Sequence, residues 1–249
     1  MPMFSVEGRV AVVSGGSSGI GMRFVHAYLE AGAQVVVVSR TFAGLEHFSM
    51  SNSTAVKHVC ADLSKAEGVN EVAQQVMNCF GRVDILVNAA GINPRKSSKE
   101  LSVQEWNSSL SLNLTAPFLL SRALVPMMQQ RGWGRIINIA SLQSERAFPN
   151  GIAYGAAKGG VTQLTRAMAE EWSADGITVN AIAPGFFPTP LTEKVFENSE
   201  LVEQLARQTC VGRNGELNDL VGPLLFLSSR ASDYVTGQTL FVDGGFTAK

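Results

Sequence analysis

The chain has 249 residues, of which 45% are hydrophobic and 16% charged, and its net charge is −1. That is enough apolar material for one large α/β domain and too little charge for a disordered chain. The near-neutral balance, without a long run of either sign, argues against electrostatic capture of nucleic acid or of an anionic membrane.

Cys60, Cys79 and Cys210 are scattered, odd in number and far from any metal-ligand spacing, so no metal is expected and a reducing cytoplasm fits. The opening MPMFSVEGRV lacks a basic region followed by an apolar run, so no signal peptide is expected. No apolar run reaches the roughly 18 residues of a membrane span.

Arg9 to Ser14 (RVAVVS) is a short β-branched run that predicts a strand buried on both faces. It runs into Gly15, Gly16, Ser17, Ser18, Gly19, Ile20 and Gly21, then into the helix-like MRFVHAYLEAG. A strand, a glycine turn and a helix start make a phosphate cradle, because glycines admit the pyrophosphate and the helix start offers free N–H groups. The spacing G-x-x-x-G-x-G departs from G-x-G-x-x-G, so a merely tight turn is the competing reading.

Gln34 to Ser39 (QVVVVS) predicts the second strand, with Arg40 after it. An acidic residue here would bind the ribose 2′-hydroxyl of NAD. Ser39 and Arg40 suit a 2′-phosphate instead, so NADP(H) is preferred without excluding NAD(H). Ala55 to Cys60 is the third strand. The Asp62 beyond it either accepts from an adenine amino group or caps a helix starting at Ser64. Lys65 to Phe80 has helical spacing, and Val83 to Val87 is the fourth strand. Asn88, Ala89, Ala90 and Gly91 close it with small side chains that would let a ribose lie against the backbone.

Ile92 to Leu101, with Pro94, Arg95, Lys96 and Lys99, reads as a loop at the strand ends, either touching substrate or solvated. Trp106 to Met128 is a long helix with Asn113 and Pro117 inside it. The proline would free the Asn113 carbonyl, making either a water site or a kink.

Arg135 to Ala140 (RIINIA) is the fifth strand and delivers Ser141. Tyr154 and Lys158 then lie one turn apart on a helix running to about Asp175. A phenol with a pKa near ~10 is a poor base at neutral pH. A nearby ammonium lowers that value. A tyrosine so tuned can exchange a proton with an oxygen that Ser141 holds. By itself, Tyr-x-x-x-Lys on a helix is a common pattern without chemical meaning. Thr178 to Ile182 is the sixth strand. Pro184 and Gly185 open Phe186 to Ser199, which reads as a mobile lid within a region of about 186–215. Glu216 to Ser228 is the last helix, and Thr239 to Val242 the last strand before Asp243-Gly244-Gly245. The alternation predicts a single α/β domain over residues 1–249. Its core would be a doubly wound, mostly parallel seven-stranded sheet with helices on both faces.

In order and spacing, these motifs resemble the short-chain dehydrogenase/reductases over essentially the whole chain. The match runs from Ser14-Gly15 and Gly19-Ile20-Gly21 through Asp62, Asn88-Ala89-Ala90-Gly91, Asn113, Ser141, Tyr154 and Lys158. It ends at Pro184-Gly185 with Thr189 and at Asp243-Gly244-Gly245, and Ser14 stands where threonine is usual. The resemblance implies a Rossmann-type fold and an oxidoreductase acting on CH–OH groups. Tyr154 would be the proton donor in reduction and the base in oxidation. Lys158 would lower its pKa and hold the nicotinamide ribose, Ser141 would orient the substrate oxygen, and Asn113 would anchor a relay water. The implied cofactor residues are Gly15, Ser17, Ser18, Gly19, Ile20, Gly21, Ser39, Arg40, Asp62, Leu63, Asn88, Ala89, Ala90, Gly91, Tyr154, Lys158, Pro184, Gly185 and Thr189. A homotetramer is implied too, with the helices Trp106–Met128 and Ala153–Asp175 between subunits.

Arg95, together with Ser144-Glu145-Arg146 after Ser141, is similar to the gluconate 5-dehydrogenase group. That implies a small-molecule substrate such as a sugar acid, sugar or polyol, contacted by Arg95, Gln143, Glu145 and Phe186. Much of the chain also resembles the 3-oxoacyl-[acyl-carrier-protein] reductases, for which Arg131 is a candidate carrier contact. Asp175, before Gly176, would repel an acidic carrier. Phe186 and Phe187 would tolerate an apolar ketone. A non-catalytic dinucleotide sensor would be expected to have lost Tyr154 or Lys158.

Overall fold

Alternating β-branched residues dictate a sheet with both faces covered. Within β1 (Val10–Ser14), Val10 and Val12 enter one core while Ala11 and Val13 enter another. The computed structural model describes residues 3–41, 54–65 and 69–249. Its further strands are β2 (Gln34–Ser39), β3 (Val56–Cys60), β4 (Ile85–Asn88), β5 (Gly134–Ile139), β6 (Ile177–Pro184) and β7 (Thr239–Val242). They form one 7-stranded sheet in the order β3-β2-β1-β4-β5-β6-β7, and every neighbouring pair is parallel.

The described helices are α1 (Gly19–Glu30), α2 (Val69–Phe80), α3 (Val103–Leu110), α4 (Ala116–Gln129) and α5 (Ile152–Trp172). They continue as α6 (Glu193–Phe196), α7 (Ser199–Gln208) and α8 (Val221–Ser228). Phe24 and Tyr28 of α1 and Leu224 of α8 pack with Val35 and Val37 on one face of the sheet. Leu120, Leu124 and Met128 of α4 and Met168 of α5 pack with Val36 and Val38 on the other. Chain order reverses between β1 and β4, because β2 and β3 run outward one way and β4 to β7 the other. The crossovers diverge there and leave a crevice at the carboxyl ends of the strands. Register brings Ser14 opposite both Val38 and Asn88, so the ends of β2, β1 and β4 come level at that crevice.

Several expected bounds move. The helix expected from Lys65 is seen from Val69, and 66–68 lie outside the described residues. The Tyr154 helix ends at Trp172, followed by a 3-10 turn, Ser173–Asp175. The expected lid contains a 3-10 turn, Pro190–Thr192, and the helices α6 and α7.

The single long helix expected around Asn113 is three pieces. Ser102 and Glu105 cap α3 reciprocally, and a π-helical turn, Ser111–Thr115, joins it to α4. Pro117 lies in the first turn of α4, so the missing N–H is absorbed by widening the turn. The stretch Val103–Gln129 does reach the length and apolarity of a bilayer span, which the sequence did not suggest. Leu120, Leu124, Val125 and Met128 spend that apolar face in the core.

Candidate active site

A cavity of about 620 Å³ opens at the crevice. One wall is the glycine turn. Gly15 has φ +69, and a Cβ there would stand 2.8 Å from Ala90 Cα; one on Gly21 would stand 2.3 Å from the Gly15 carbonyl oxygen. Only glycine allows β1, β4 and α1 to meet this closely. The Ser14 hydroxyl accepts from the backbone N–H of Ala89 (3.1 Å) and Ala90 (3.3 Å), pinning the two strand ends together. Ser18 precedes α1 without a side-chain cap, which leaves the first N–H groups of that helix free for an anion. The residues therefore fit a dinucleotide: a glycine cradle on an uncapped helix start, with Ser39 and Arg40 on the same wall.

Ser17, Ser18, Gly19, Ile20, Leu63, Ala89, Ala90, Gly91, Pro184, Gly185 and Thr189 line the cavity where the sequence put them. Asp62 also lines it, and its carboxylate accepts from the Ser64 hydroxyl (2.7 Å) and N–H (3.1 Å). Those bonds hold its pKa below the usual carboxylate value. Asn88 is a correction. Its amide donates to Asn138 (2.9 Å) and Ser121 (3.2 Å) in the core, and it is absent from the cavity wall. The last residue of β4 turns inward on the alternation of its strand and ties β4 to β5 and α4.

The opposite wall carries Ser141, Tyr154 and Lys158. Strand β5 ends just before Ser141, and α5 presents Tyr154 and Lys158 on one face, 8% and 4% exposed. Ser144 donates to the Lys158 carbonyl (2.8 Å), tying the turn after Ser141 to that helix. Burial pushes the Tyr154 phenol up to about 12, opposed by its hydrogen bond with Ser141 and by the charge of Arg95. Burial also pushes Lys158 down to about 8. The expected lowering of the tyrosine by the lysine is therefore not what this pocket shows. Desolvation wins, and Lys158 Nζ donates to the Ile139 carbonyl (2.5 Å).

Asn113 is fully buried behind the wall rather than on it. Its carboxamide accepts from Ile92 N–H (3.2 Å) and donates to the carbonyls of Ile92 (2.9 Å) and Ser109 (2.9 Å). It clamps the loop that carries Arg95. Arg95 itself has φ 50, a left-handed conformation unusual outside glycine, with its N–H bonded to the Asn93 carboxamide (3.2 Å). It lines the cavity with Gln143 and Phe186.

Glu145, expected at the substrate, is exposed and off the wall, because it closes the short 3-10 turn Leu142–Ser144. Arg146 lies 5.8 Å from the Phe246 ring centre and donates to the Lys249 carbonyl (3.1 Å). The sequence missed an aromatic trio: Phe186 and Phe246 are 5.8 Å apart, and Phe148 lies 5.8 and 6.1 Å from them. No local pattern joins three phenylalanines on three distant segments. Arg131 and Asp175 sit at the amino ends of the strands, away from the cavity. Arg131 approaches the buried Asp84 (3.9 Å) beside Arg9 and Arg82, while Asp175 accepts from Gln129 (2.7 Å).

Residues 15–247 match the family described as enoyl-(acyl carrier protein) reductase. The chain is 39% identical to the gluconate 5-dehydrogenase of Gluconobacter oxydans, over 98% of this chain and 97% of that one. It is 37% identical to a galactitol 2-dehydrogenase (L-tagatose-forming) of Cereibacter sphaeroides, over 98% and 97%. Among solved structures, the gluconate 5-dehydrogenase of Burkholderia cenocepacia in complex with NADP and tartrate superposes with a TM-score of 0.94. It is 36% identical, and the match covers 99% of this chain and 98% of that one.

Proposed function

This chain belongs to the short-chain dehydrogenase/reductase family, and we propose that it is an NADP(H)-dependent oxidoreductase acting on a sugar acid, sugar or polyol. Bound in the cradle, the nicotinamide would supply or take up the hydride. Tyr154 exchanges the proton with the substrate oxygen, which Ser141, on the same wall of the cavity, orients. Lys158 stands 5.5 Å from the centre of the Tyr154 ring, and its ammonium would hold the hydroxyls of the nicotinamide ribose. Asn113 holds the loop in place, and the widened turn around it suits a relay water. Ser39 and Arg40 select the 2′-phosphate.

The observation that carries the substrate class is Arg95, whose charge reaches Tyr154 across the cavity. A guanidinium lining the same cavity as the proton donor suits a substrate with a carboxylate or several hydroxyls. The relative from Burkholderia cenocepacia, crystallised with NADP and the hydroxy acid tartrate, supports this reading. The position of Arg131, spent on Asp84 at the far end of the sheet, counts against a carrier-borne thioester within one chain. NADPH oxidation should be measured with 5-ketogluconate, ketoses, acetoacetyl thioesters and bulky cyclic ketones. We expect turnover of the sugar acid, with its KM raised roughly 10- to 100-fold by Arg95→Ala, about the worth of a charged hydrogen bond. Turnover of the thioester alone overturns the assignment.

The three free cysteines suit a reducing cytoplasm. Exposed Val103 on α3, Phe118 on α4, Ile152 at the start of α5 and Leu240 on edge strand β7 supply apolar surface that copies of the chain would bury in a homotetramer. Light scattering of the purified protein tests this, and a monomer at micromolar concentration refutes it.

A further inference from the structure

His58, on edge strand β3, sits behind the cofactor wall. Register pairs it with Val37, so its ring shares a face with Ser39 two residues further along β2. The Ser39 hydroxyl donates to the Thr41 carbonyl (2.8 Å) and lies 2.9 Å from His58 Nε2. A hydroxyl has a single hydrogen. With that hydrogen given to Thr41, the oxygen accepts from the imidazole, and Nε2 carries the proton. Burial pushes the imidazole pKa down, opposed by a hydrogen bond to the Ser39 backbone, which favours the neutral ring.

The direction of that bond matters because Ser39, Arg40 and Thr41 all line the cavity. A ribose 2′-hydroxyl both donates and accepts, and a serine can meet it in either sense. A 2′-phosphate only accepts and needs a donor. A serine that accepts from an imidazole N–H keeps its own hydrogen free to swing from the Thr41 carbonyl to a phosphate oxygen. Were the imidazole the acceptor, the hydrogen would point inward and lone pairs would face the phosphate. We propose that His58 is a positioning residue for cofactor choice: its Nε2–H holds Ser39 as a donor and so favours a phosphorylated 2′-position. Arg40 supplies charge, whereas His58 acting through Ser39 supplies direction. This inference rests on the NADP(H) reading above.

The test is equilibrium binding of NADP⁺, NAD⁺ and the fragments 2′-AMP and 5′-AMP to the protein without substrate. The proteins are wild type, His58→Met, His58→Gln, Ser39→Ala and the Ser39→Ala/His58→Met pair. Losing a donor to a charged group should weaken NADP⁺ and 2′-AMP about 5- to 20-fold in His58→Met while NAD⁺ and 5′-AMP move less than about 2-fold. His58→Gln, whose amide can donate from a similar reach, should restore most of the loss, and the double variant should bind no more weakly than Ser39→Ala. Equal weakening of both dinucleotides, an unchanged NADP⁺ affinity, or additive effects in the double variant overturns the proposal. Should His58→Met not fold, ¹⁵N NMR of the wild-type imidazole decides: an Nε2–H tautomer supports it and an Nδ1–H tautomer overturns it. A wild type that binds NAD⁺ as tightly as NADP⁺ defeats the cofactor reading itself. A wild type that prefers NADP⁺ alongside an unaffected His58→Met defeats only this inference.

Discussion

Lys158 Nζ donates to the carbonyl oxygen of Ile139 at 2.5 Å and stands 5.5 Å from the centre of the Tyr154 ring. The end of β5 therefore holds the ammonium beneath the phenol, and both groups are desolvated together. Their pKa values move apart from solution values in opposite senses, and each shift has a consequence for stability.

For Lys158, the folded pKa of about 8 lies below the ordinary lysine value of 10.5. The folded state prefers the neutral amine, so the burial penalty is in force below pH 8 and fades as pH rises toward 10.5. At one unit per 1.36 kcal/mol this is roughly 3 kcal/mol at neutral pH. Lys158→Met should therefore stabilise the protein at pH 7 while abolishing turnover. Denaturant melts across pH should show the gain shrinking above pH 8; a destabilised variant at pH 7 contradicts the account.

For Tyr154 the sign reverses. With a folded pKa of about 12 against the ordinary tyrosine value of 10.0, the unfolded chain ionises first, and stability falls as pH rises through that window. Tyr154→Phe should flatten this alkaline loss. It should also cut kcat by on the order of 10³-fold, as expected for a lost general acid and base. NADP⁺ affinity should stay within about 3-fold, because the change removes only an oxygen. Wild-type turnover from this variant would remove Tyr154 from the chemistry.

Ser14→Ala leaves the N–H groups of Ala89 and Ala90 without their acceptor. Such a loss costs about 1–3 kcal/mol. Ser14→Thr keeps the hydroxyl and should be nearly neutral. Urea midpoints for the pair give the comparison, and equal stability of the two variants would show that water replaces the hydroxyl.

Asn113→Ala removes the clamp on both polar groups of Ile92. We expect a loss of about 1–3 kcal/mol and faster amide exchange from Ile92 through Arg95. KM for a carboxylate substrate should rise with it, because the left-handed Arg95 depends on that loop. Unchanged exchange in the loop would show that the π turn holds it without the carboxamide.

The sheet was readable because its strands are short β-branched runs and its turns carry glycine. QVVVVS and the Tyr154–Lys158 spacing each map directly onto β2 and α5. Less readable was anything decided by which way a side chain faces at an element's end. Asn88 and Glu145 sit beside cavity residues in the chain yet face the core and the solvent, respectively. Spacing places Lys158 near Tyr154 but says nothing of desolvation. His58 carries no local signal, since Ser39, which it contacts, is on another strand. The Phe148–Phe186–Phe246 trio is longer-range still.

That trio divides the labour of the molecule. Proton handling is written into β5 and α5, while part of the apolar packing behind Phe148 and Phe186 comes from Phe246, far along the chain and clasped by Arg146. Exchange of the 246–249 segment would reshape what the cavity admits without touching the groups that move protons. Within this architecture, substrate choice can drift while the reaction stays fixed.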